Sequence, residues 1–355
     1  AEYVLPASAL VAGENTVEVE FIPEGLIIVA SSNSTTFMVL DGVVTNVTYS
    51  YYFGEDHNLV DIVPEGATLD FQGLFVGDYV TNINKPVNIV STTGDALFTT
   101  GAGNKANLNI LAGGDHTNVT GLSFVNYCVF VKGASYVTID GINAVANQRG
   151  VGSGTGFVSV HSNAYYTVVK NCYVENGGTG STCLVLGKGG KYATFDNNTC
   201  NVTGSSGNVL SSNVFVGSGD NPEFVNYTNN RIISSVAGSS TMYGITVCGQ
   251  GNIIENNSLL NFKGNGIINQ FGATSTKNVY RNNTITGGGS MAIGTYSLVE
   301  NNNVAEGTLT VTEGSTFANN TAKSVTISGK NVVAEDNTIL TTVTISAAAK
   351  NTTFT

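Results

Sequence analysis

The stretch IIENNSLL (residues 253–260) contains a motif that recurs along the last two-thirds of the chain. Each copy has an apolar residue, a polar or small residue, Asn-Asn or a close variant, one spacer and another apolar residue. The copies are FDNNTC (195–200), YTNNRI (227–232), IENNSL (254–259), YRNNTI (280–285), VENNNV (299–304), FANNTA (317–322) and AEDNTI (334–339). Short repeats of this kind indicate a solenoid, in which each repeat forms one coil.

The second asparagine of each copy defines the period. These residues are Asn198, Asn230, Asn257, Asn283, Asn302, Asn320 and Asn337, at intervals of 32, 27, 26, 19, 18 and 17 residues. If every coil places this residue at the same bend, the side chains stack at the strand spacing of about 4.8 Å. Because an amide both donates and accepts, each side chain can bond the ones above and below it. The sequence therefore predicts an internal asparagine ladder.

The ladder position can be followed toward the N-terminus. Aligning the earlier coils places Cys172, Ile142 and Leu122 there. The change from apolar to amide residues suits a bend that is buried in every coil, because stacked amides satisfy one another.

A second repeating element alternates apolar and polar residues, as in VFVKG (129–133), ITVCG (245–249) and VTISG (325–329). A period of two predicts a strand with one buried face. One coil is then strand, turn, strand, asparagine bend and short strand. This pattern resembles the right-handed parallel β-helix of pectate-lyase-like proteins. We therefore expect an all-β, right-handed parallel β-helix of about 12–13 coils over residues 61–355.

Residues 1–60 do not follow the repeat. Segments 16–22, 25–31 and 35–44 are predicted to be strands. Because an open solenoid end exposes strand edges, we expect an N-terminal β-rich cap, with a small assembly module as the alternative. The chain stops in mid-repeat, so we expect that it continues or that another chain covers that end. Self-association through the solenoid ends is a further expectation.

The composition excludes several classes of protein. The net charge is −11 at pH 7, which disfavours nucleic acid as a partner. No stretch is long and apolar enough to span a membrane, and no signal peptide is visible, so a mature or trimmed chain is expected. An acidic surface suits an extracellular or cell-surface location.

The cysteines are predicted to be small core residues. There are five, Cys128, Cys172, Cys183, Cys200 and Cys248. The alignment puts Cys128 and Cys183 two coils apart, beyond the reach of a disulfide. There is no CxxC motif and the three histidines are scattered, so neither a metal nor a cofactor is expected.

Four sequons are candidate glycosylation sites, at Asn33, Asn46, Asn118 and Asn226. Several other sequons coincide with the first asparagine of the ladder motif, where we expect the bend to hide them.

One column of residues carries candidate catalytic groups, just before the Asn pair. Its members are Asp140, Lys170, Asp196, Thr228, Glu255, Arg281, Glu300, Ala318 and Glu335. Clustered carboxylates with a base could form the floor of a catalytic groove. A ladder of exposed ion pairs explains the alternating signs equally simply, and we prefer that interpretation. The paired-Asp, Gly-His-Gly and Arg-x-Lys signatures of polygalacturonases are absent, and there is no Trp.

A second candidate site is a turn with aromatic residues. Tyr165 and Tyr166 lie near His161, and Lys188 follows one coil later. Aromatic rings beside a polar turn can stack on sugars, although surface turn residues would give the same pattern.

The run VPEGATLDFQGLF…INKPVNIV (63–90), followed by VTGLSFVN and VTIDGINAVAN, resembles the β-helix region of adhesin-like surface proteins of methanogenic archaea. The resemblance implies a secreted or wall-anchored rod that binds surface glycans or another cell-surface protein, and it carries no catalytic residue over. An anaerobic habitat would also account for free cysteines. We therefore expect a non-enzymatic, adhesin-like glycoprotein that mediates attachment or forms part of a surface layer or filament. The alternative is a polysaccharide lyase or glycoside hydrolase acting on an acidic polysaccharide.

Overall fold

The chain folds as a right-handed parallel β-helix. The computed structural model describes residues 13–21, 31–39, 43–44, 63–78, 80–100, 107–147, 157–161, 163–176, 182–187, 189–204, 207–212, 221–234, 242–269 and 275–355. All secondary-structure elements of these residues are β-strands. In this part of the chain no helix could cross a membrane.

A front sheet is formed by the strand that precedes each asparagine bend. Its 14 strands pair in parallel, in chain order, among the described residues. They are Val43–Val44, Thr68–Phe71, Asn88–Val90, Asn118–Thr120, Thr138–Asp140, Val168–Lys170, Thr194–Asp196, Asn226–Thr228, Ile253–Glu255, Val279–Arg281, Leu298–Glu300, Thr316–Ala318, Val333–Glu335 and Thr353–Phe354.

A second sheet contains two rows of strands. The second row, after the asparagine bend, comprises Leu74–Val76, Leu97–Thr99, Ser123–Val125, Asn143–Asn147, Tyr173–Asn176, Thr199–Val202, Arg231–Ser234, Ser258–Leu260 and Thr284–Ile285. The third row comprises Val80–Ile83, Asn107–Leu111, Cys128–Lys132, Val158–His161, Leu184–Leu186, Gly207–Ser212, Met242–Val247, Asn265–Asn269 and Ser290–Ala292. In the shorter C-terminal coils the two rows merge into Asn303–Val311, Thr321–Ile327 and Thr338–Ile345. Gly249–Gln250 and Ser275–Thr276 form a separate parallel pair.

The N-terminal strands pair differently. Gly13–Phe21 is antiparallel to Ser31–Val39, which confirms strands within 16–22 and 35–44. Val43 and Val44 then pair in parallel with the front-sheet strand Thr68–Phe71. Most of 25–31, and Asn46, lie outside the described residues, and the cap stays a prediction.

The core is filled by inward-facing side chains of all three strand rows. Phe75 and Phe98 stack with ring centroids 4.5 Å apart, and Phe98 contacts Phe124 at 5.5 Å. Farther along, Phe195 stacks on Tyr227 at 5.8 Å. Burying such a side chain contributes about 1.5–3 kcal/mol. Since each coil packs only on its neighbours, the core grows with the number of coils rather than with the diameter.

The predicted asparagine ladder is confirmed. Side-chain Nδ2 atoms donate to the Oδ1 atom of the next ladder residue at 2.9–3.0 Å, without a break from Asn198 to Asn337. The second Nδ2 hydrogen goes to a backbone carbonyl, as from Asn257 to Tyr227 at 2.8 Å. Six of the seven ladder side chains are at most 2% exposed, so this network satisfies amides that water cannot reach.

The first asparagine of each pair has a different role. Asn197, Asn229, Asn256, Asn282 and Asn301 have φ between 52° and 57°, in the left-handed region that asparagine tolerates better than most residues. Their side chains are exposed. Among them, Asn197, Asn256 and Asn282 belong to sequons. The expectation that the bend hides these sequon asparagines was therefore wrong, because only the second asparagine of each pair points inward.

The last coil exposes apolar side chains at the C-terminal end of the solenoid, where Ile345 and Phe354 stand in register with the buried Ile327 and Ala334. Leu340, Ile345 and Phe354 are 50–56% exposed. Self-association through this end stays a prediction.

Candidate functional site

The outer surface of the front sheet carries the predicted charged column. Strand pairing aligns Asp140 with Lys170, Lys170 with Asp196, and so on in register to Glu335. The alternation of the strands turns these side chains outward, since the residue before each is buried. The column therefore runs along the helix axis with one residue per coil.

Neighbouring members of the column are bonded to each other. Lys170 Nζ lies 3.3 Å from Asp140 Oδ2, and Arg281 Nε lies 2.8 Å from Glu255 Oε1. The bond to Glu255 raises the pKa of the Arg281 guanidinium above its ordinary value. All four side chains are between 22% and 40% exposed, so solvent screens both pairs, and the pair of Lys170 and Asp140 stabilises the fold by at most about 1 kcal/mol.

Asp196 has a different set of partners. Its Oδ1 accepts hydrogen bonds from the Thr228 hydroxyl at 2.6 Å and from Asn229 Nδ2 at 2.7 Å. Asp140 accepts a comparable bond from Asn171 Nδ2 at 2.7 Å, in addition to its contact with Lys170. The two carboxylates thus differ in that Asp140 also contacts a cation.

A column of stacked rings runs parallel to the charged column, at the turn that enters each front strand. Its members are His116, Tyr136, Tyr166, Tyr192 and Phe224. Successive ring centroids are 4.9, 4.9, 4.8 and 5.3 Å apart, and the ring planes differ by only 4–11°. We call this set the aromatic column. The last four rings are 41–50% exposed, so much of each ring faces solvent.

The backbone at the aromatic column is left-handed. All five residues have φ between 55° and 63°, a conformation that costs bulky residues about 1 kcal/mol or more. The column ends where the equivalent residue is Gly251, and the Phe224 ring lies over this glycine, where a Cβ would be 2.5 Å from Phe224 Cδ1. Tyr296 occupies the same turn position farther along, outside the continuous stack, and is 53% exposed.

The residues that precede the aromatic column form its outer rim. Tyr165 pairs with Lys191, and Lys191 pairs with Glu223, through parallel bridges. Lys191 Nζ lies 3.0 Å from Glu223 Oε2, and this contact raises the pKa of Lys191. Within this rim Lys191 and Glu223 therefore neutralise each other.

The predicted turn site is only partly assembled. Tyr166 joins the aromatic column, whereas His161 lies at the end of a third-row strand, with its ring 6.4 Å from Phe130. Burial, and secondarily Lys132, lowers the pKa of His161. Lys188 lies outside the described residues.

Metal-ligating groups are not gathered in the part of the chain that is described. No group of three or more His, Cys, Asp or Glu side chains there could hold a metal ion. All five cysteines are buried as free thiols, as predicted for core residues.

Two features were missed from the sequence. The aromatic column could have been found by aligning the residue two positions before each front strand, but only Tyr166 was singled out. A second inner ladder lies next to it, where Asn252 Nδ2 donates to Asn278 Oδ1 at 3.0 Å and the backbone N–H of Asn278 donates to Ser297 Oγ at 3.4 Å. It begins in the coil where the aromatic column ends.

No family model and no curated protein matches the chain. Among solved structures, it is similar to the catalytic domain of a GH87 alpha-1,3-glucanase in complex with nigerose, with a TM-score of 0.42 and 14% identity. That match covers 80% of this chain and 64% of the glucanase chain, so this chain spans under two thirds of that structure. The periplasmic alginate epimerase AlgG T265N mutant gives a TM-score of 0.41 at 11% identity, covering 88% and 84% of the two chains. The Azotobacter vinelandii mannuronan C-5 epimerase AlgE4 A-module gives 0.30 at 11%, covering 80% and 91%.

These similarities correct the expected function. A non-enzymatic, adhesin-like protein was predicted, but the similar structures are carbohydrate-active enzymes, in agreement with the alternative interpretation. At 11–14% identity they show the fold alone. The function of this chain therefore depends on its own surface residues.

Proposed function

We propose that the chain binds a polysaccharide along the outer face of the front sheet and hydrolyses it there. The observation that carries the proposal is the pairing of two parallel columns. The aromatic column lies at the start of the strands and the charged column at their end, four residues away, which is roughly 10–13 Å. A sugar chain along the helix axis would contact both columns at once.

The aromatic column offers a regular binding surface. Its rings are nearly parallel and stack face to face along the helix axis, so their edges and the tyrosine hydroxyl groups form a continuous exposed strip. The apolar C–H faces of sugars pack on such surfaces, and the phenol groups of Tyr136, Tyr166 and Tyr192 can bond sugar hydroxyls. One ring per coil suits a polymer, because the same contact can be repeated for successive sugars.

The floor between the columns is open. The outward side chains there are Thr138, Val168, Thr194 and Asn226, which are small or medium-sized and half-buried. Asn118, one coil earlier, is tied to Asn88 by a bond of 2.8 Å from its Nδ2 atom. Glycosylation of Asn118 or Asn226 would obstruct this face, and glycosylation at Asn33 or Asn46 stays a prediction.

The charged column supplies carboxylates at a spacing that suits hydrolysis. Asp140 and Asp196 are two coils apart, about 9.6 Å along the axis. This spacing lies at the upper limit of the separation of about 6.5–9.5 Å between acid and base in inverting glycoside hydrolases, which leaves room for water. One carboxyl group would protonate the glycosidic oxygen while the other removes a proton from the attacking water.

A lyase is less well supported by the same column. Elimination needs a basic side chain to remove a proton from the sugar. The two cations of the column, Lys170 and Arg281, are each held by a carboxylate of the preceding coil. A hydrolase therefore fits the column better. A polymeric substrate would also place the protein outside the cell, where such polymers occur.

The experiment compares the wild type with Tyr166→Asn, Asp196→Asn and Tyr296→Asn on a panel of soluble polysaccharides. Asparagine tolerates the left-handed conformation, so the two tyrosine variants remove a ring without straining the turn. Release of reducing ends and retention on the polymer are both measured. We expect Tyr166→Asn to weaken retention at least tenfold, Asp196→Asn to abolish release while retaining binding, and Tyr296→Asn to behave as wild type.

Two outcomes would contradict the proposal. If no polymer is retained or cleaved by the wild type, the front face is not a polysaccharide site. If Tyr296→Asn weakens retention as much as Tyr166→Asn, the continuous stack is not what binds the polymer.

A further inference from the structure

We infer that the polymer bound along the front face is uncharged. This inference rests on the proposed function and concerns its substrate class, which the alternative interpretation of the sequence gave as an acidic polysaccharide. Two observations support it: the balance of charged side chains around the aromatic column, and the ion pairs that the lysines among them form.

Acidic groups outnumber basic groups on this part of the face. Among the described residues, the carboxylates beside the aromatic column are Asp115, Asp140, Asp196 and Glu223, and the ammonium groups are Lys170 and Lys191. Histidine is counted as neutral at pH 7. The balance is therefore negative, in keeping with the net charge of −11 for the whole chain.

Both ammonium groups are engaged. Lys170 contacts Asp140 at 3.3 Å and Lys191 contacts Glu223 at 3.0 Å, and these two lysine side chains are only 39% and 31% exposed. An anionic sugar chain would have to draw a lysine away from its carboxylate, leaving that carboxylate uncompensated beside the polymer. Like charges facing each other across an interface disfavour binding and slow association.

A bridging metal ion does not resolve this repulsion. Calcium could join a polymer carboxylate to the protein only where several oxygen ligands converge. The described residues contain no group of three or more acidic, histidine or cysteine side chains that could hold one. The four carboxylates are instead spread along the columns and alternate with lysines.

The polar groups that remain match hydroxyl groups. Tyr136, Tyr166 and Tyr192 present phenols that donate and accept. Asn197 and Asn229 present exposed amides along the opposite edge, although their Nδ2 atoms also donate to Asn171 and Asp196. Neutral sugars offer only hydroxyl and ring oxygens, which such groups can bond without any change in charge. The face is therefore suited to a glucan, mannan, galactan or similar neutral polymer.

The test uses polymers that differ only in charge. Soluble glucans, mannans and galactans are compared with the same polymers after oxidation of C6 to a carboxylate, by affinity electrophoresis at low and moderate salt. We expect the wild type to bind at least one neutral polymer, to bind its oxidised form at least tenfold more weakly at low salt, and to recover part of that loss as salt screens the repulsion.

A charge variant checks the cause. Glu223→Gln leaves Lys191 without its carboxylate and removes one negative charge outside the proposed catalytic pair. We expect it to bind the oxidised polymer several-fold more tightly than wild type does, with no change for the neutral one. Tyr296→Asn serves as the control for a substitution at the same type of turn.

The outcomes separate this inference from the proposed function. If the wild type binds the oxidised polymer as tightly as the neutral one or more tightly, and Tyr166→Asn removes that binding, the face is a polysaccharide site but the inference is wrong. If no neutral or oxidised polymer binds, both fail. If Glu223→Gln leaves binding of the oxidised polymer unchanged, the paired lysine is not the cause of the selectivity.

Discussion

Asn257 accepts two hydrogen bonds from Asn230 on a single oxygen, one from Asn230 Nδ2 and one from its backbone N–H, both 3.0 Å long. Asn257 in turn donates twice to Asn283 Oδ1. Each side chain in the ladder therefore satisfies both an amide and a backbone group of the preceding coil. A ladder residue therefore connects neighbouring coils by hydrogen bonds in addition to occupying the bend.

Asn257→Leu should destabilise the protein strongly. Leucine would leave the backbone N–H of Asn230 and one of its two Nδ2 hydrogens without partners inside the core, and it would remove the bond to the carbonyl of Tyr227. Each buried orphaned group costs about 1–3 kcal/mol. We expect a loss of at least about 2 kcal/mol in the free energy of unfolding, measured by urea denaturation. Asn256→Gly is the matched control, since Asn256 is exposed and left-handed, and it should change stability by less than about 0.5 kcal/mol. Equal effects of the two substitutions would contradict the role of the ladder.

Cys172 occupies the ladder position one coil before the first asparagine, and Cys172→Asn should extend the ladder. The backbone N–H of Cys172 already donates to Asn198 Oδ1 at 3.1 Å, and the thiol Sγ lies 3.9 Å from the carbonyl of Ile139. An asparagine could donate to both of these oxygens and accept from Ile142. We expect a gain of about 0.5–1.5 kcal/mol in urea denaturation. Cys172→Val fills similar space but has no side-chain donor, so it should not increase the free energy of unfolding. An increase with valine would show that packing, and not hydrogen bonding, causes the effect.

The sequence predicted those parts of the fold in which one position of each coil accepts only a few residue types. The asparagine ladder and the register from Asp140 to Glu335 follow from one motif, because a buried bend accepts few residue types. The aromatic column was missed because its turn is exposed and accepts His, Tyr, Phe, Gly and Lys at equivalent positions. Tyrosine has no preference for the left-handed conformation, so the local sequence does not mark Tyr136 or Tyr192 as turn residues. Only the aligned strands show that these rings stack.

Lys170→Ala should hardly affect stability. The contact with Asp140 joins two side chains that are 39% and 28% exposed, and an exposed ion pair contributes about 0–1 kcal/mol. We expect a change below about 1 kcal/mol in the free energy of unfolding. A loss above about 2 kcal/mol would show that the pair is desolvated in solution, and the charged column would then be structural rather than a surface open to a substrate.

The buried thiols should make the fold sensitive to alkaline pH. Burial raises the pKa of the Cys172 thiol from 9.0 to about 12 and also raises that of Cys183, where a bond to Cys200 is the larger cause. Because the folded state holds its proton more tightly, the contribution of Cys172 to stability is complete below pH 9 and is lost as the pH rises from 9 to 12. At pH 8 we expect none of the five thiols to react with a thiol reagent until the protein is unfolded, when all five should react.

The same difference in proton binding should give a measurable slope when the free energy of unfolding is plotted against pH. Above pH 9 the free energy of unfolding should fall, because the unfolded state releases the Cys172 proton while the folded state keeps it. Cys172→Ala removes this difference in proton binding, so it should make the fall smaller by up to about 1.4 kcal/mol per pH unit. The substitution should lower stability at pH 7 because it leaves a small cavity, so the comparison is between the slopes and not the absolute values. Parallel slopes for wild type and variant would show that Cys172 is not held as a neutral thiol in the core.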